Sequence, residues 1–355
     1  MEDPSPRKQP TFADIAREAG VCKATVSLAL RNSNRISEET RQRIKKIAVE
    51  MGYHQNPLVT ANMLQIRKAR QQTLQTPTVG LLSTWVEDGD ERKRVEWHIQ
   101  SRFLEGAKRR SSELGFAFDY LEFDLAKYSS SRIQQVLESR NIAGLVLTPL
   151  RFSDSPLRLE WSKFAVTSIG FSDQLGNIPS VYYDNFRCMQ HVLEYLSNRG
   201  YRRFGFITDS ENEMRGGHLW NAGFLEYQHR LIPEGERVPI LRIPKPELRF
   251  VRDDYEAMLD WRNRNKPDVI IAFRSNILDF FQSEGLQAPK DFGYMVLNWS
   301  TQTDGCSGYR QCHEEMAEVA VDMVSERLYQ NTLGELRKPR VTLLQGDIVE
   351  GFTTR

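Results

Sequence analysis

The sequence predicts a small all-α unit over residues 11–56 and, behind it, an α/β body of two doubly wound parallel-sheet lobes over residues 77–355. Three observations carry this expectation. Residues 11–53 hold three short stretches with apolar side chains at helical spacing, separated by tight breaks. From Thr78 onward, strand-like and helix-like stretches alternate regularly, as parallel sheets covered by helices on both faces require. Charge is also unevenly divided. Residues 1–76 carry 13 Lys and Arg against 7 Asp and Glu, and the remainder carries 35 against 40. A basic front on a mildly acidic body suits a unit that meets nucleic acid, attached to a body that does not.

In the front unit, Phe12, Ile15, Ala16 and Ala19 share one helical face. Thr11 and Asp14 form a capping-box start, and Gly20 is placed to end the helix in a left-handed conformation. The second helix runs from about Lys23 to Arg31. Val26, Ala29 and Leu30 point inward, which leaves Lys23, Ala24, Ser27, Leu28 and Arg31 outside. Ser37 caps a third helix with Glu38 and Glu39 in its first turn, where the helix dipole favours them. Ile44, Ile47, Ala48 and Met51 form its buried stripe, and Gly52 stops it. Two helices joined by a short Gly-containing turn, with a third across them, make a helix-turn-helix unit. The second helix of such a unit is shaped for a DNA major groove.

Residues 1–10 read as a polar, Pro-rich disordered tail. Asn56-Pro57 reads as a helix start, so a short helix over 57–64 and a Gln/Thr linker to residue 76 are expected. Strands are then expected at TVGLLS, FAFDYLEF, GLVLTP, KFAVTSIGF, SVYYD, YRRFGFIT, VPILRI, PDVIIAF, YMVLNW and RVTLLQG. Helices are expected at 96–114, 131–139, 185–198, 220–231, 252–265, 277–284 and 314–330.

Several function classes find no support. The sequence has no GxxxxGK[ST], no GxGxxG after a strand, no HExxH and no GxSxG, so an enzyme is not expected. Cys22, Cys188, Cys306 and Cys312 form no CxxC pair and read as reduced thiols. The six histidines lack metal-ligand spacing. Glu87, Asp88, Asp90 and Glu91 read as a solvated acidic loop in preference to a metal site. No metal or cofactor is expected. No apolar run approaches a membrane span and the N-terminus lacks an apolar signal core, so a cytoplasmic protein is expected.

The stretches ADIAREAGVCKATVSLALRN and RISEETRQRIKKIAVEMGY resemble, without a gap, the headpiece of the lac-repressor (LacI/GalR) family of bacterial transcription regulators. DNFRCMQHVLEYLSNRGYRRFGFI, PDVIIAFRSN, GLQAPKDFGYMVLNW and GELRKPRVTLLQGDIVEGFTT extend the resemblance through the body. It implies a periplasmic-binding-protein-like core with a ligand cleft between lobes near 77–182 with 311–333, and 183–310 with 334–355. It also implies a regulator, expected to be a repressor, that acts as a homodimer on a pseudo-palindromic double-stranded DNA operator and responds to a small, sugar-like effector. The last strand is followed by no leucine-rich helix, so a dimer is expected in preference to a tetramer.

The resemblance also assigns residues. Lys23, Ala24 and Leu28 stand where members read bases. Thr25, Ser27 and Asn32 stand at phosphate-clamping positions, with Arg35 and Tyr53 as further candidates. Leu28 replaces a common arginine, which excludes a guanine contact there and permits contact with a thymine methyl. Cys22 replaces the usual serine cap. Residues 57–65 match the family's hinge helix, whose leucine wedge is here Asn62, flanked by Met63; asparagine is a poor wedge. In the cleft, the expected lining is Thr84, Trp85, Thr148 and Phe171 from the first lobe. Trp220, Ser275, Asn276, Asn298 and Trp299 come from the second. Trp220 stands in for a ligand-gripping arginine and the two asparagines for aspartates. Aromatics and amides with few charges suit a neutral ligand stacked on rings. A cleft filled by Trp220 and deaf to any ligand is the alternative.

Overall fold

The computed structural model describes residues 10–30, 36–51, 53, 76–84, 91–150, 156–170, 175–243, 250–303 and 305–355. The head contains α1 (Phe12–Ala19), α2 (Lys23–Leu30) and α3 (Glu38–Glu50). Each begins and ends where local chemistry dictates. The Thr11 backbone N–H donates to Asp14 Oδ2 at 2.9 Å while the Thr11 hydroxyl accepts from Asp14 N at 3.4 Å, which completes the capping box. Gly20 turns the chain at φ +63°, a conformation that disfavours any side chain. Ser37 Oγ accepts from Thr40 N and starts α3. Ile15, Val26, Ala29, Ile44 and Ala48 close a small core, with Phe12 and Tyr53 rings 5.6 Å apart at its edge.

The body holds two six-stranded sheets. The first comprises β1 (Thr78–Ser83), β2 (Ala117–Glu122), β3 (Ile142–Leu147), β4 (Ala165–Ile169), β5 (Ser180–Tyr183) and β11 (Val341–Leu344), in the order β11-β5-β4-β3-β1-β2. Every pairing in it is parallel. On one face lie α4 (Glu91–Glu113) and α11 (His313–Gln330), through Phe103, Ala107, Ala317 and Val321. The other face is covered by α5 (Ser130–Ser139), through Ile133 and Leu137. The second sheet comprises β6 (Phe204–Asp209), β7 (Leu241–Ile243), β8 (Val269–Ala272), β9 (Gly293–Val296), β10 (Ser307–Arg310) and β12 (Asp347–Val349), in the order β12-β10-β9-β8-β6-β7. Here α6 (Asn185–Asn198) and α8 (Leu219–Leu231) pack on one face, their Leu193 and Phe224 in one cluster with Phe206 of β6. Met258 of α9 (Arg252–Asn265) and Phe281 of α10 (Asn276–Ser283) pack on the other with Ile270 and Tyr294. A single short helix, α7 (Ser210–Arg215), follows β6.

The structure corrects the expected partition in one place. RVTLLQG holds a single strand, as expected, but residues 334–355 do not all belong to the second lobe; they divide between the two sheets. Val341–Leu344 pairs with Ser180–Tyr183 in the first sheet, and Asp347–Val349 then pairs antiparallel with β10 in the second. Gly346 lies between them, and a Cβ there would sit 2.1 Å from Arg310 O, so the chain needs a glycine to cross. The chain therefore passes between lobes at 183–185, 310–313 and 344–347. These crossings are tied together. Asp184 N donates to Leu344 O at 2.9 Å, and the Tyr309 hydroxyl both donates to Gly346 O and accepts from Gly346 N at 2.9 Å. Strands β10 and β12 and helix α7 are not legible as separate elements in the sequence, being three to six residues long.

Candidate functional site

In the head, α2 buries Val26 and Ala29 and leaves Lys23 and Ala24 exposed and Thr25, Ser27 and Leu28 half-buried. That is the outward face expected from the spacing. Cys22 is exposed just before α2, with Sγ 3.2 Å from Thr25 Oγ1. The Thr25 hydroxyl, and then its backbone N–H, lower the Cys22 thiol below its ordinary value. The sulfur thus takes the place of a capping oxygen. Tyr53 packs against Phe12, and burial pushes its phenol up. Asn32, Arg35, Asn62 and Met63, and the expected tail and hinge helix, lie outside the described residues.

In the body, a cavity of about 470 Å³ opens between the C-terminal ends of the two sheets, where open α/β sheets place ligands. Trp220 and Asn298 line it, as expected. Trp220 is 5% exposed, its ring edge-on to Phe273 at 5.7 Å, and the cavity persists with the indole as part of its wall. Five other expected residues do not line it. Thr84 and Thr148 are buried just after β1 and β3. Ser275 and Asn276 begin α10, because the loop after β8 gives the wall to Phe273 instead. Trp299 serves packing: its indole lies over Gly308 and donates to Cys306 O at 3.1 Å. Trp85 and Phe171 lie outside the described residues, as does most of the acidic loop that begins at Glu87.

Other residues take the vacated roles. Asn212 and Arg215 come from α7, and Gln100, Tyr183 and His313 from the first lobe. The short helix α7 was the missed signal: Asp209 accepts from Asn212 N at 2.9 Å, an N-cap pattern that DSENEMR carries openly. His313 sits at the start of α11, with Nδ1 3.1 Å from Arg102 Nη1. Arg102 grips Glu314 through two hydrogen bonds, 2.7 Å and 2.6 Å. Burial pushes the Glu314 carboxyl up, but hydrogen bonds from Arg102 and its own backbone outweigh burial and hold it below the usual range. Burial drives the Tyr183 phenol well above its ordinary value, so it stays protonated. Its hydroxyl is enclosed and meets no hydrogen-bond partner among the described residues. Such an atom is costly unless something else satisfies it.

With this geometry in view, the comparisons with known proteins are specific. The family profile described as "Bacterial regulatory proteins, lacI family" matches residues 11–56. The chain therefore carries a lacI-type head. Across its length it is similar to the HTH-type transcriptional regulator RegA of Clostridium saccharobutylicum, 22% identical over 303 residues, which is 81% of this chain and 82% of RegA. Its fold is similar to that of the transcriptional regulator CelR in complex with cellobiose, with TM-score 0.58 and 20% identity over 97% of this chain and 100% of that one. It is likewise similar to the lac repressor dimer bound to operator and the anti-inducer ONPF, with TM-score 0.55 and 16% identity over 98% of this chain and 99% of that one. The helix-turn-helix head that the profile matches is present here, joined to a body of two six-stranded α/β sheets. No described helix is long and apolar enough to cross a membrane.

Proposed function

We propose that this chain is a sequence-specific repressor that binds a pseudo-palindromic operator as a homodimer and is modulated by a small sugar-like molecule between its lobes. The observation that carries the DNA half is the outward face of α2, with Lys23 and Ala24 exposed on a helix whose other side is locked into a core. Lys23 donates to guanine O6/N7 or to a phosphate, and Leu28 meets a thymine methyl. Thr25, Ser27, Tyr53, Asn32 and Arg35 position the backbone. One head buries too little surface for tight binding, which a two-fold dimer remedies.

The effector half rests on the cavity between two lobes joined by three crossings. The cellobiose bound by the similar CelR protein supports a sugar-like ligand. Such a ligand favours the lobe arrangement it fits and shifts the population toward it. In this reading the shift orders or releases residues 57–65, and so the spacing of two heads. The persistence of the cavity beside Trp220 favours a responsive cleft over a filled one.

The test is selection of duplexes from a random pool by the full-length protein, followed by gel shifts. A pseudo-palindromic motif should emerge, bound with steep salt dependence. Lys23→Ala should weaken binding and relax sequence preference at one position per half-site. Recovery of no motif would remove the proposal.

A further inference from the structure

The second crossing between the lobes is gripped residue by residue. Arg310 Nη2 donates to Asp347 Oδ2 at 2.8 Å and Gln311 Nε2 to Leu297 O at 3.0 Å, both partners lying in the second lobe. Cys312 Sγ donates to Gln345 O, on the third crossing, at 3.2 Å. Past Cys312 the partner changes lobe. Arg102 of α4 donates from Nη1 to His313 Nδ1 at 3.1 Å, and from Nε and Nη2 to the Glu314 carboxylate at 2.7 Å and 2.6 Å. Its Nη2 also reaches back to Gln311 O at 3.2 Å. The chain is thus handed from one lobe to the other at Cys312, and a single guanidinium spans the handover.

The same side chain borders another crossing. The His313 ring that it holds stands edge-on to Phe103 at 5.2 Å and to Tyr183 at 5.6 Å, and Tyr183 is the last residue of β5 before the first crossing. The Arg102 side chain is 16% exposed. A planar fork that holds several acceptors at set angles resists rotation about them, which one flexible donor does not. Fastening α4 to α11 does not rest on Arg102 alone. Arg109 pairs with Glu318, and Arg110 Nε donates to Asp322 Oδ1 at 2.7 Å, one and two turns further along α11.

We propose that Arg102 is a positioning residue that sets the angle between the lobes: it pins the first-lobe side of the second crossing, so that reorientation turns the chain at Cys312 and breaks the bond to Gln311 O. This rests on the proposed shift between lobe arrangements, and adds where the chain turns and which side chain holds it. Gln311 O moves with the second lobe, because Arg310 and Gln311 are anchored there. His313 and Glu314 move with the first, through Arg102. The bond between Arg102 and Gln311 O is therefore made in one arrangement and lost in another, a two-state contact at a hinge.

Distances between the lobes test it. p-Acetylphenylalanine in place of Gln135 on α5 and of His229 on α8, both exposed, carries a ketone-linked nitroxide on each lobe and leaves the cysteines untouched. Pulsed electron paramagnetic resonance on the full-length protein, diluted into unlabelled chain, reads the distance distribution within one copy. Arg102→Gln should broaden that distribution about twofold, as a second arrangement becomes populated, and Arg109→Gln should not. Arg102→Lys keeps the positive charge opposite Glu314 but offers one flexible donor group. Its thermal unfolding should stay close to the parent's while its distances broaden as in Arg102→Gln. Affinity for the duplex recovered by selection should change by about threefold or more in both Arg102 variants, because the fraction of molecules in the DNA-competent arrangement changes. Should Arg102→Gln fail to fold, Arg102→Lys carries the test.

Unchanged distances in Arg102→Gln, or parent-like distances in Arg102→Lys, would overturn this inference and leave the proposed function standing. Equal broadening by Arg109→Gln would assign the effect to the helix pair and overturn it as well. Broadened distances with unchanged affinity for the selected duplex would uphold Arg102 as the holder of the angle and count against the proposed link between lobes and heads.

Discussion

Gly106→Ala sets two effects of opposite sign against each other. Gly106 lies within α4, where alanine is favoured over glycine by about 1 kcal/mol on helix propensity alone. Its ideal Cβ, however, would lie 2.2 Å from Glu314 O and 2.8 Å from Glu314 C and Cα. These are backbone atoms of the first turn of α11, so no side chain can swing aside. Reaching an ordinary 3.4 Å contact requires α4 and α11 to separate by about 1.2 Å at this point. Overpacking of this kind costs about 1–3 kcal/mol, and a backbone obstacle puts it near the top of that range. The net expectation is destabilisation of about 2 kcal/mol, the propensity gain offsetting part of the clash. The same shift would strain the paired Arg102–Glu314 hydrogen bonds and displace His313 at the cavity wall. Urea unfolding of the variant and parent measures the difference, with the head's own transition as an internal reference. Equal or increased stability would refute the claim that this helix pair is held at contact distance by a glycine.

Three further outcomes are expected. Gly20→Ala should destabilise the head by about 1 kcal/mol, because φ is +63° there although the space beside it is open; hydrogen exchange of α1 and α2 amides checks it, and Gly20→Asn should cost less. Tyr183→Phe should stabilise the ligand-free body by up to about 1 kcal/mol, since it removes an enclosed hydroxyl that meets no partner among the described residues, and a loss of stability in thermal unfolding would show that the hydroxyl is satisfied. The Glu314 carboxyl lies below its ordinary value in the folded chain, so its contribution is present above the unfolded value near 4.5 and is lost as pH falls through the lower folded value; Glu314→Gln should flatten that acid limb of the stability profile and leave no other pH window changed.

The head was legible almost residue by residue because its signals are local. The Thr11–Asp14 box, Gly20 and Ser37 fix helix ends by contacts within four residues, and burial of Val26 and Ala29 fixes which face of α2 is outward. The sheets were legible for a similar reason: buried parallel strands such as VIIA read as continuous apolar runs. The cleft was not. Its lining depends on which strand-end residues turn inward, a choice settled by distant partners. Trp299 is drawn off by Gly308 and the Cys306 carbonyl, while Phe273 takes the wall beside Trp220. Arg102, Glu314 and His313 meet only because α4 and α11, some two hundred residues apart in sequence, touch. The change of lobe between β11 and β12 was hidden because strands of four and three residues, separated by two, carry no local signal of which sheet each joins.

The interleaving of the lobes bears on how the chain is born. Domains of a growing polypeptide tend to fold as units in the order in which they are synthesised. The head can do so as soon as residue 53 has emerged, since its described core residues, from Phe12 to Tyr53, pack on one another. Neither sheet has that freedom. The first waits for Val341–Leu344 to supply its edge, and the second waits for Asp347–Val349 and for Thr353, whose hydroxyl accepts from Ser307 N and donates to Tyr294 O. A functional reading head would therefore trail behind it an unfinished body for nearly the whole of translation, and chaperones at the tunnel exit would meet apolar strands rather than a finished lobe.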